Sequence, residues 1–264
     1  MLKLENVHRS VGNSHIIKGV DLELKSGQAI GLVWPNGCGK TSLLNMINGF
    51  NAIQEGKMIF DYQDVTWIGV EQRANKWIGR VFQNFGIFKN LTLYENLATA
   101  YISRLSWKHK ILPVKFLPKE IKSEIDDILH ELDLFDKRHE LAWNLSWWQM
   151  RLLEIGRLYL QKTKLYLLDE PTAGISPKLK GKVIELLNKI IARGKIVIIV
   201  EHDFEFLAEF VDRFCVMNDG KVVLEWDYAT IKNSSLIKDI YFGKNKVISH
   251  DGILERAELV RENK

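Results

Sequence analysis

The sequence predicts an α/β fold with a mostly parallel central sheet, a flanking antiparallel β subdomain and an inserted helical subdomain. Three observations predict it. Short apolar runs at 28–33, 164–168 and 195–200 are nearly continuous rather than alternating, as strands buried on both faces of a parallel sheet are. Each run ends in polar residues able to do chemistry, and open α/β sheets bind ligands at the carboxyl ends of such strands. The stretch from about 85 to 160 has helical periodicity and no convincing strand.

In chain order, residues 2–7 and 20–24 alternate apolar and polar and read as strands of the flanking sheet. Residues 28–33 form the first central strand. The segment 177–193 reads as a helix, with Pro177 near its start and Gly194 just past its end. The tail from about 243 is charged and reads as a short helix or a mobile arm. The expected layout is an α/β core from 1–84 and 161–243, a helical subdomain over 85–160 and a tail over 244–264.

Composition narrows the class. The 264 residues are 46% hydrophobic and 27% charged, enough to bury a real core. Wholesale disorder, a collagen-like chain and a disulfide scaffold are thereby disfavoured. The longest aliphatic run, Ile196-Val197-Ile198-Ile199-Val200, is far short of the roughly 20 residues needed to span a bilayer. The start, MLKLENVHRS, does not read as a signal peptide. Two cysteines, Cys38 and Cys215, fit a reducing compartment. A net charge of +4 is too small to argue for nucleic acid as a partner.

The first apolar run leads into Trp34-Pro35-Asn36-Gly37-Cys38-Gly39-Lys40-Thr41-Ser42, followed by the apolar Leu43-Leu44-Asn45-Met46-Ile47. This is the phosphate-loop pattern G-x-x-x-x-G-K-[ST], with Trp34 in the first glycine position. Small residues let backbone N–H groups wrap phosphate, and the helix N-terminus behind them favours an anion. The expected nucleotide-binding set is Asn36, Gly37, Cys38, Gly39, Lys40, Thr41 and Ser42. Lys40 would neutralise the β- and γ-phosphates of ATP, and Thr41 would hold Mg²⁺. The plain alternative is a glycine-rich turn before a helix. Four motif residues in register behind a buried strand argue against it.

The second run, Leu165-Tyr166-Leu167-Leu168, ends in Asp169-Glu170. A nucleotide-hydrolysing strand needs one acid to anchor Mg²⁺, here Asp169, and one to polarise the attacking water, here Glu170. Many buried strands end in acids, so the pair gains its meaning from the loop upstream. The third run ends in Glu201-His202-Asp203. A lone His there is more often structural, but its position makes His202 a candidate γ-phosphate contact.

Leu145-Ser146-Trp147-Trp148-Gln149 resembles the LSGGQ signature of ABC-type ATPases. With it, residues 1–243 resemble a complete ATP-binding subunit of an ABC transporter. The resemblance implies an ABC-type core and assigns roles by position. Gln83 falls at the family's Q-loop glutamine, a metal and catalytic contact beside Thr41 and Asp169. His202 falls at the switch histidine. Gly174-Ile175-Ser176-Pro177 falls at the D-loop, with Ser176 in place of aspartate. Val11 stands where the family usually stacks an aromatic on adenine, and His8 could only partly compensate. The segments 80–96, 151–157 and 201–203 resemble importers of branched-chain and other hydrophobic amino acids.

The family mechanism implies two subunits, identical or not, sandwiching two ATP molecules. Ser146 and Gln149 of one subunit would face Lys40, Thr41, Gln83, Asp169, Glu170 and His202 of the other. Transmembrane permease subunits would dock near Gln83 and the helical subdomain, on the cytoplasmic face of a membrane, with an extracytoplasmic binding protein supplying cargo. Competing readings are a lipid or lipopolysaccharide exporter subunit, a soluble ABC ATPase without a permease, and an inactive ATP-binding paralogue.

The 8 tryptophans outnumber the 7 tyrosines and fall in peculiar places. Trp34 takes a phosphate-loop glycine, and Trp147 and Trp148 take the two signature glycines. The resemblance puts glycine also at Trp67, Trp77, Trp143 and Trp226; Trp107 carries no clear expectation. Some hydrophobic amino acid importers carry an aromatic at the position of Trp147. Ordinary surface or core tryptophans would not select glycine positions. A decayed paralogue would lose Lys40, Asp169, Glu170 and His202 as readily. One codon accounts for all: UGA is read as Trp in some genetic codes and as Gly in others. The expectation is that the gene carries UGA at these eight positions and that the native protein has glycine there. Sequencing the gene checks it, and eight UGG codons would end the idea.

Overall fold

The structure is a computed structural model that describes residues 1–33, 38–82, 86–103, 105 and 114–227. Gln83, Asn36, Gly37, Trp34, Trp107 and the tail over 244–264 lie outside the described residues.

Two sheets organise the chain. The antiparallel sheet has strand order β2-β1-β4-β5, from Leu2–Val11 (β1), Ser14–Leu24 (β2), Glu55–Phe60 (β4) and Gln63–Asp64 (β5). The central sheet has order β10-β9-β3-β8-β7-β6. Its strands are Ala29–Val33 (β3), Ile78–Val81 (β6), Leu165–Asp169 (β7), Ile196–Val200 (β8), Arg213–Asn218 (β9) and Lys221–Asp227 (β10). From β9 to β6 all neighbours are parallel, and β10 closes the edge antiparallel to β9.

The continuous apolar runs have a direct cause. Successive side chains of a strand point to opposite faces. Leu165 and Leu167 enter the core shared with the antiparallel sheet, whereas Tyr166 and Leu168 enter the core under the helices. Ile196 and Ile198 likewise alternate with Val197 and Ile199. Both faces are covered, so neither face of the strand is polar. The three expected central strands appear within a residue or two of their expected bounds, and the two flanking strands run longer than expected.

The helices follow their local signals. Lys40–Asn48 (α1) starts at Gly39 and Val70–Lys76 (α2) precedes β6. Leu93–Ile102 (α3) begins with a capping box in which Thr92 and Glu95 exchange hydrogen bonds. Lys119–Glu131 (α4) and Trp147–Leu160 (α5) pack with α3 in the helical part, where the described residues hold one isolated bridge, Thr92 to Leu141, and no named strand. Pro177–Ala192 (α6) has proline in its first turn and is followed by Gly194 at φ 72°, as its sequence predicts. The short Phe204–Ala208 (α7) is capped by Asp203, whose carboxylate accepts the Phe206 N–H. Among the described residues no helix is long and apolar enough to cross a membrane.

One buried cation knits the first half of the chain. Arg73 on α2 is 2% exposed. Its guanidinium donates to the carbonyls of Met46 and Ile47 at the end of α1, of Val65 and Thr66, and of Ile68, at 2.7–3.0 Å. Burial pushes that guanidinium down to about 10, yet five carbonyl dipoles face it, two from a helix C-terminus. Replacing Arg73 by alanine removes all five bonds; the Met46 and Val65 carbonyls still accept the Gly49 and Ile68 N–H groups, but those of Ile47, Thr66 and Ile68 lose their guanidinium donor, and the expected cost is about 3 kcal/mol or more. Urea denaturation of R73A measures this; a loss below about 1 kcal/mol would contradict it.

Candidate nucleotide-hydrolysis site

β3, β8 and β7 lie side by side and parallel, so their carboxyl ends reach one level. β3 delivers α1 with Lys40 at its first turn. β7 delivers Asp169 and Glu170, and β8 delivers Glu201 and His202. The Lys40 segment thereby meets two segments more than a hundred residues further along the chain.

Gly39 shows why the loop needs glycine. Its φ is 100°, in the left-handed region, and a Cβ there would lie 3.0 Å from Ile17 and 3.1 Å from the Ile16 carbonyl. The loop exit is braced by the β9–β10 turn. Gly220 donates its N–H to the Cys38 carbonyl at 3.2 Å, and its own carbonyl accepts the Lys18 N–H at 2.8 Å. Sequence reasoning missed this brace, although Asp219-Gly220 between apolar strands is a strong hairpin signal.

Lys40 is buried. Burial lowers the affinity of its amine for a proton, and Cys38, Glu170 and Asp169 act in the opposite direction. The lysine therefore shares one field with both acids. Thr41 and Ser42 follow in the first turn of α1, where the helix dipole favours an anion. Asp169 is 4% exposed, and its Oδ2 lies 3.3 Å from a guanidinium nitrogen of Arg80 on β6. Arg80 also donates to Asn45 Oδ1 at 2.6 Å and lies over the Phe82 ring. Sequence reasoning missed Arg80 because no local pattern ties it to Asp169.

Glu170 sits at φ 50°, which is strained for a residue with a side chain. Its N–H donates to the Val200 carbonyl at 2.9 Å, and its Oε1 lies 3.3 Å from His202 Nε2. The structure thus brings Lys40, Asp169, Glu170 and His202 into one cluster at the sheet edge, with Thr41 at the head of α1.

Ser146 and Gln149 stand elsewhere, on the helical part. Ser146 caps the N-terminus of α5, and Gln149 Oε1 accepts both its N–H and its hydroxyl, at 3.0 and 3.1 Å. Ser146 is exposed, so the cap presents a helix N-terminus outward. The ring of Trp147 lies on Gly174, where a Cβ would come within 2.8 Å of it.

Further along α5, buried Arg151 donates to the Phe82 carbonyl at 2.7 Å and pairs with Glu154 at 2.9 Å. The other Glu154 oxygen accepts the Gly86 N–H at 2.9 Å. The signature helix thus grips both shoulders of the segment that carries Gln83. Burial pushes the Arg151 guanidinium down, and Glu154, Glu201 and Asp169 pull it back up.

The tryptophans divide by environment. Trp67, Trp143 and Trp147 are exposed, and Trp148 packs partly buried against the helical core. Trp77 and Trp226 are buried, Trp77 with its ring 5.9 Å from that of Phe60. Among the described residues no tryptophan has a left-handed φ.

Fold and site together define a phosphate-loop nucleotide hydrolase with a separate helical signature element. The family model for the ABC transporter matches residues 17–173, and the chain belongs to that family. It is therefore an ATP-binding cassette ATPase of the kind coupled to transport. It is 28% identical to the lipopolysaccharide export system ATP-binding protein LptB of Haemophilus influenzae, over 92% of this chain and 98% of that protein. It is 28% identical, over the same shares of each chain, to the probable branched-chain amino acid transport ATP-binding protein LivG of Methanocaldococcus jannaschii. Among solved structures it is similar to a dimeric post-hydrolysis state of an ATP-binding cassette bound to ADP and phosphate. That likeness has 26% identity and a TM-score of 0.74, and covers 86% of this chain and 99% of the other.

Replacing Glu154 by alanine leaves Arg151 buried without its carboxylate and the Gly86 N–H without its acceptor. The expected cost is about 3–5 kcal/mol in denaturant unfolding. A change within about 0.5 kcal/mol would show that the clamp carries no stability.

Proposed function

We propose that this chain is the ATP-hydrolysing subunit of a membrane importer of branched-chain or other hydrophobic amino acids. The cluster of Lys40, Asp169, Glu170 and His202 carries the hydrolytic part of this reading. The cargo part is supported by the segments 80–96, 151–157 and 201–203 and by the likeness to LivG over nearly its whole length. Lipopolysaccharide export is the second reading, favoured by the equal likeness to LptB. In either system the permease selects the cargo.

Lys40 neutralises phosphate oxygens at the head of α1, while Glu170 accepts a proton from the attacking water and His202 steadies it. Thr41 and Asp169 offer a hydroxyl and a carboxylate, hard oxygen donors that suit Mg²⁺, with Gln83 as the third expected contact. Bound there, Mg²⁺ would supply charge neutralisation to the phosphates. Two subunits close with Ser146 and Gln149 of one facing the cluster of the other. The permease meets residues 85–160 beside the exposed Phe50 and Phe82, whose rings lie 5.8 Å apart. An extracytoplasmic binding protein supplies the cargo.

The native protein in this proposal has glycine at positions 34, 67, 77, 143, 148 and 226, and at 147 and 107 as well. A bulky ring at 34 obstructs the turn around phosphate, and one at 148 overpacks a close approach. The glycine form is expected to hydrolyse ATP in a steady-state assay and the tryptophan form barely or not at all. Normal turnover by the tryptophan form would overturn this. In proteoliposomes with its permease and binding protein, the glycine form is expected to drive leucine uptake. E170Q should lose turnover and uptake by about 100-fold or more. ATP-dependent release of lipopolysaccharide without leucine uptake would favour the second reading.

A further inference from the structure

We propose that Glu201 is a positioning residue for Glu170, a role that rests on Glu170 being the hydrolytic base. Three consecutive residues at the end of β8 each hold one part of the segment that begins with Glu170. The Val200 carbonyl accepts the Glu170 N–H at 2.9 Å. Glu201 Oε1 accepts the Thr172 N–H at 2.8 Å and the Thr172 hydroxyl at 2.6 Å. His202 Nε2 lies 3.3 Å from Glu170 Oε1.

The arrangement answers a local problem. Glu170 has φ 50°, a conformation that persists only where the surroundings over-determine it. The next residue, Pro171, has no N–H and cannot be anchored through its nitrogen. The anchors fall on either side of it, at 170 and 172. The segment also closes on itself, with Ala173 donating to the Glu170 carbonyl at 3.3 Å and Ile175 to that of Thr172 at 3.0 Å. Glu201 is 5% exposed and Thr172 4%, so their bonds are shielded from water. The second Glu201 oxygen lies 3.2 Å from the His202 N–H, which ties the carboxylate to the loop that bears the histidine. One buried carboxylate therefore fixes Glu170 and His202 relative to each other. It touches neither reacting atoms nor the Glu170 side chain.

The test reads hydrogen exchange at single amides of the nucleotide-free chain, which needs no turnover. E201A is expected to speed exchange at the Thr172 amide about tenfold or more, with β7 and β8 unchanged. E201Q keeps an oxygen for both Thr172 bonds and is expected to stay within about threefold of the parent. T172V loses the hydroxyl bond alone and should give a smaller rise confined to 170–175. It decides the matter if E201A does not fold. In the glycine form, E201A should lower kcat about tenfold or more with KM for ATP nearly unchanged, and E201Q, which keeps the Thr172 bonds but offers the His202 N–H an amide donor, should recover part of it. Unchanged exchange in E201A, or in T172V when E201A is unfolded, overturns the proposal. So does an equal rise across β7 and β8, or an E201Q that behaves as E201A. A parent chain without turnover, but with the local exchange response, contradicts the hydrolytic reading and leaves the latch in place.

Discussion

Everything at the site depends on one buried amine in the field of two carboxylates that stand at the end of a strand two places away in the sheet. Lys40 is out of water, which disfavours its charge; Glu170 and Asp169 favour it. A buried ammonium is costly unless opposite charge is near. The parallel order β3-β8-β7 supplies that charge, because it brings the end of β7, which bears both acids, level with the loop that follows β3. The same edge leaves an electropositive helix terminus open for an anion. Any register slip of one residue in β7 would turn Asp169 to the opposite face and dissolve the cluster.

The surrounding structure holds this edge from three directions. From the antiparallel side, Arg73 binds the end of α1 to α2 through buried carbonyl contacts. From the β9–β10 turn, Gly220 fixes the loop exit at Cys38. From the helical part, Arg151 and Glu154 hold Phe82 and Gly86, the two shoulders of the Gln83 segment. The last contact joins the helix capped by Ser146 to the segment at the sheet edge. The buried Arg151–Glu154 pair thus gives α5 a direct tie to that segment. No such tie could be read from residue spacing.

Much of the fold was legible in the sequence, for a physical reason. Strands buried on both faces must be apolar at every position, so β3, β7 and β8 stood out as runs. β6 did not, because its residues Ile78-Gly79-Arg80-Val81 serve other ends. Gly79 lets α5 approach, since a Cβ there would lie 2.5 Å from Leu158, and Arg80 turns toward Asp169. The phosphate loop, Asp169, Glu170 and His202 were legible because contiguous motifs carry their chemistry. Arg80, Glu201 and Thr172 were not assigned roles. Their meaning lies in contacts between segments 29 to 89 residues apart. The tryptophans were legible only as a pattern of positions, since in the fold they occupy both core and surface.

Under the proposed function, two ATP-binding subunits close around ATP through the face that bears Ser146. The most direct measurement is sedimentation of the glycine form of E170Q, with saturating ATP and Mg²⁺, with ADP and without nucleotide. A dimer is expected with ATP and a monomer in the other two conditions. A chain that stays monomeric with ATP bound would contradict it.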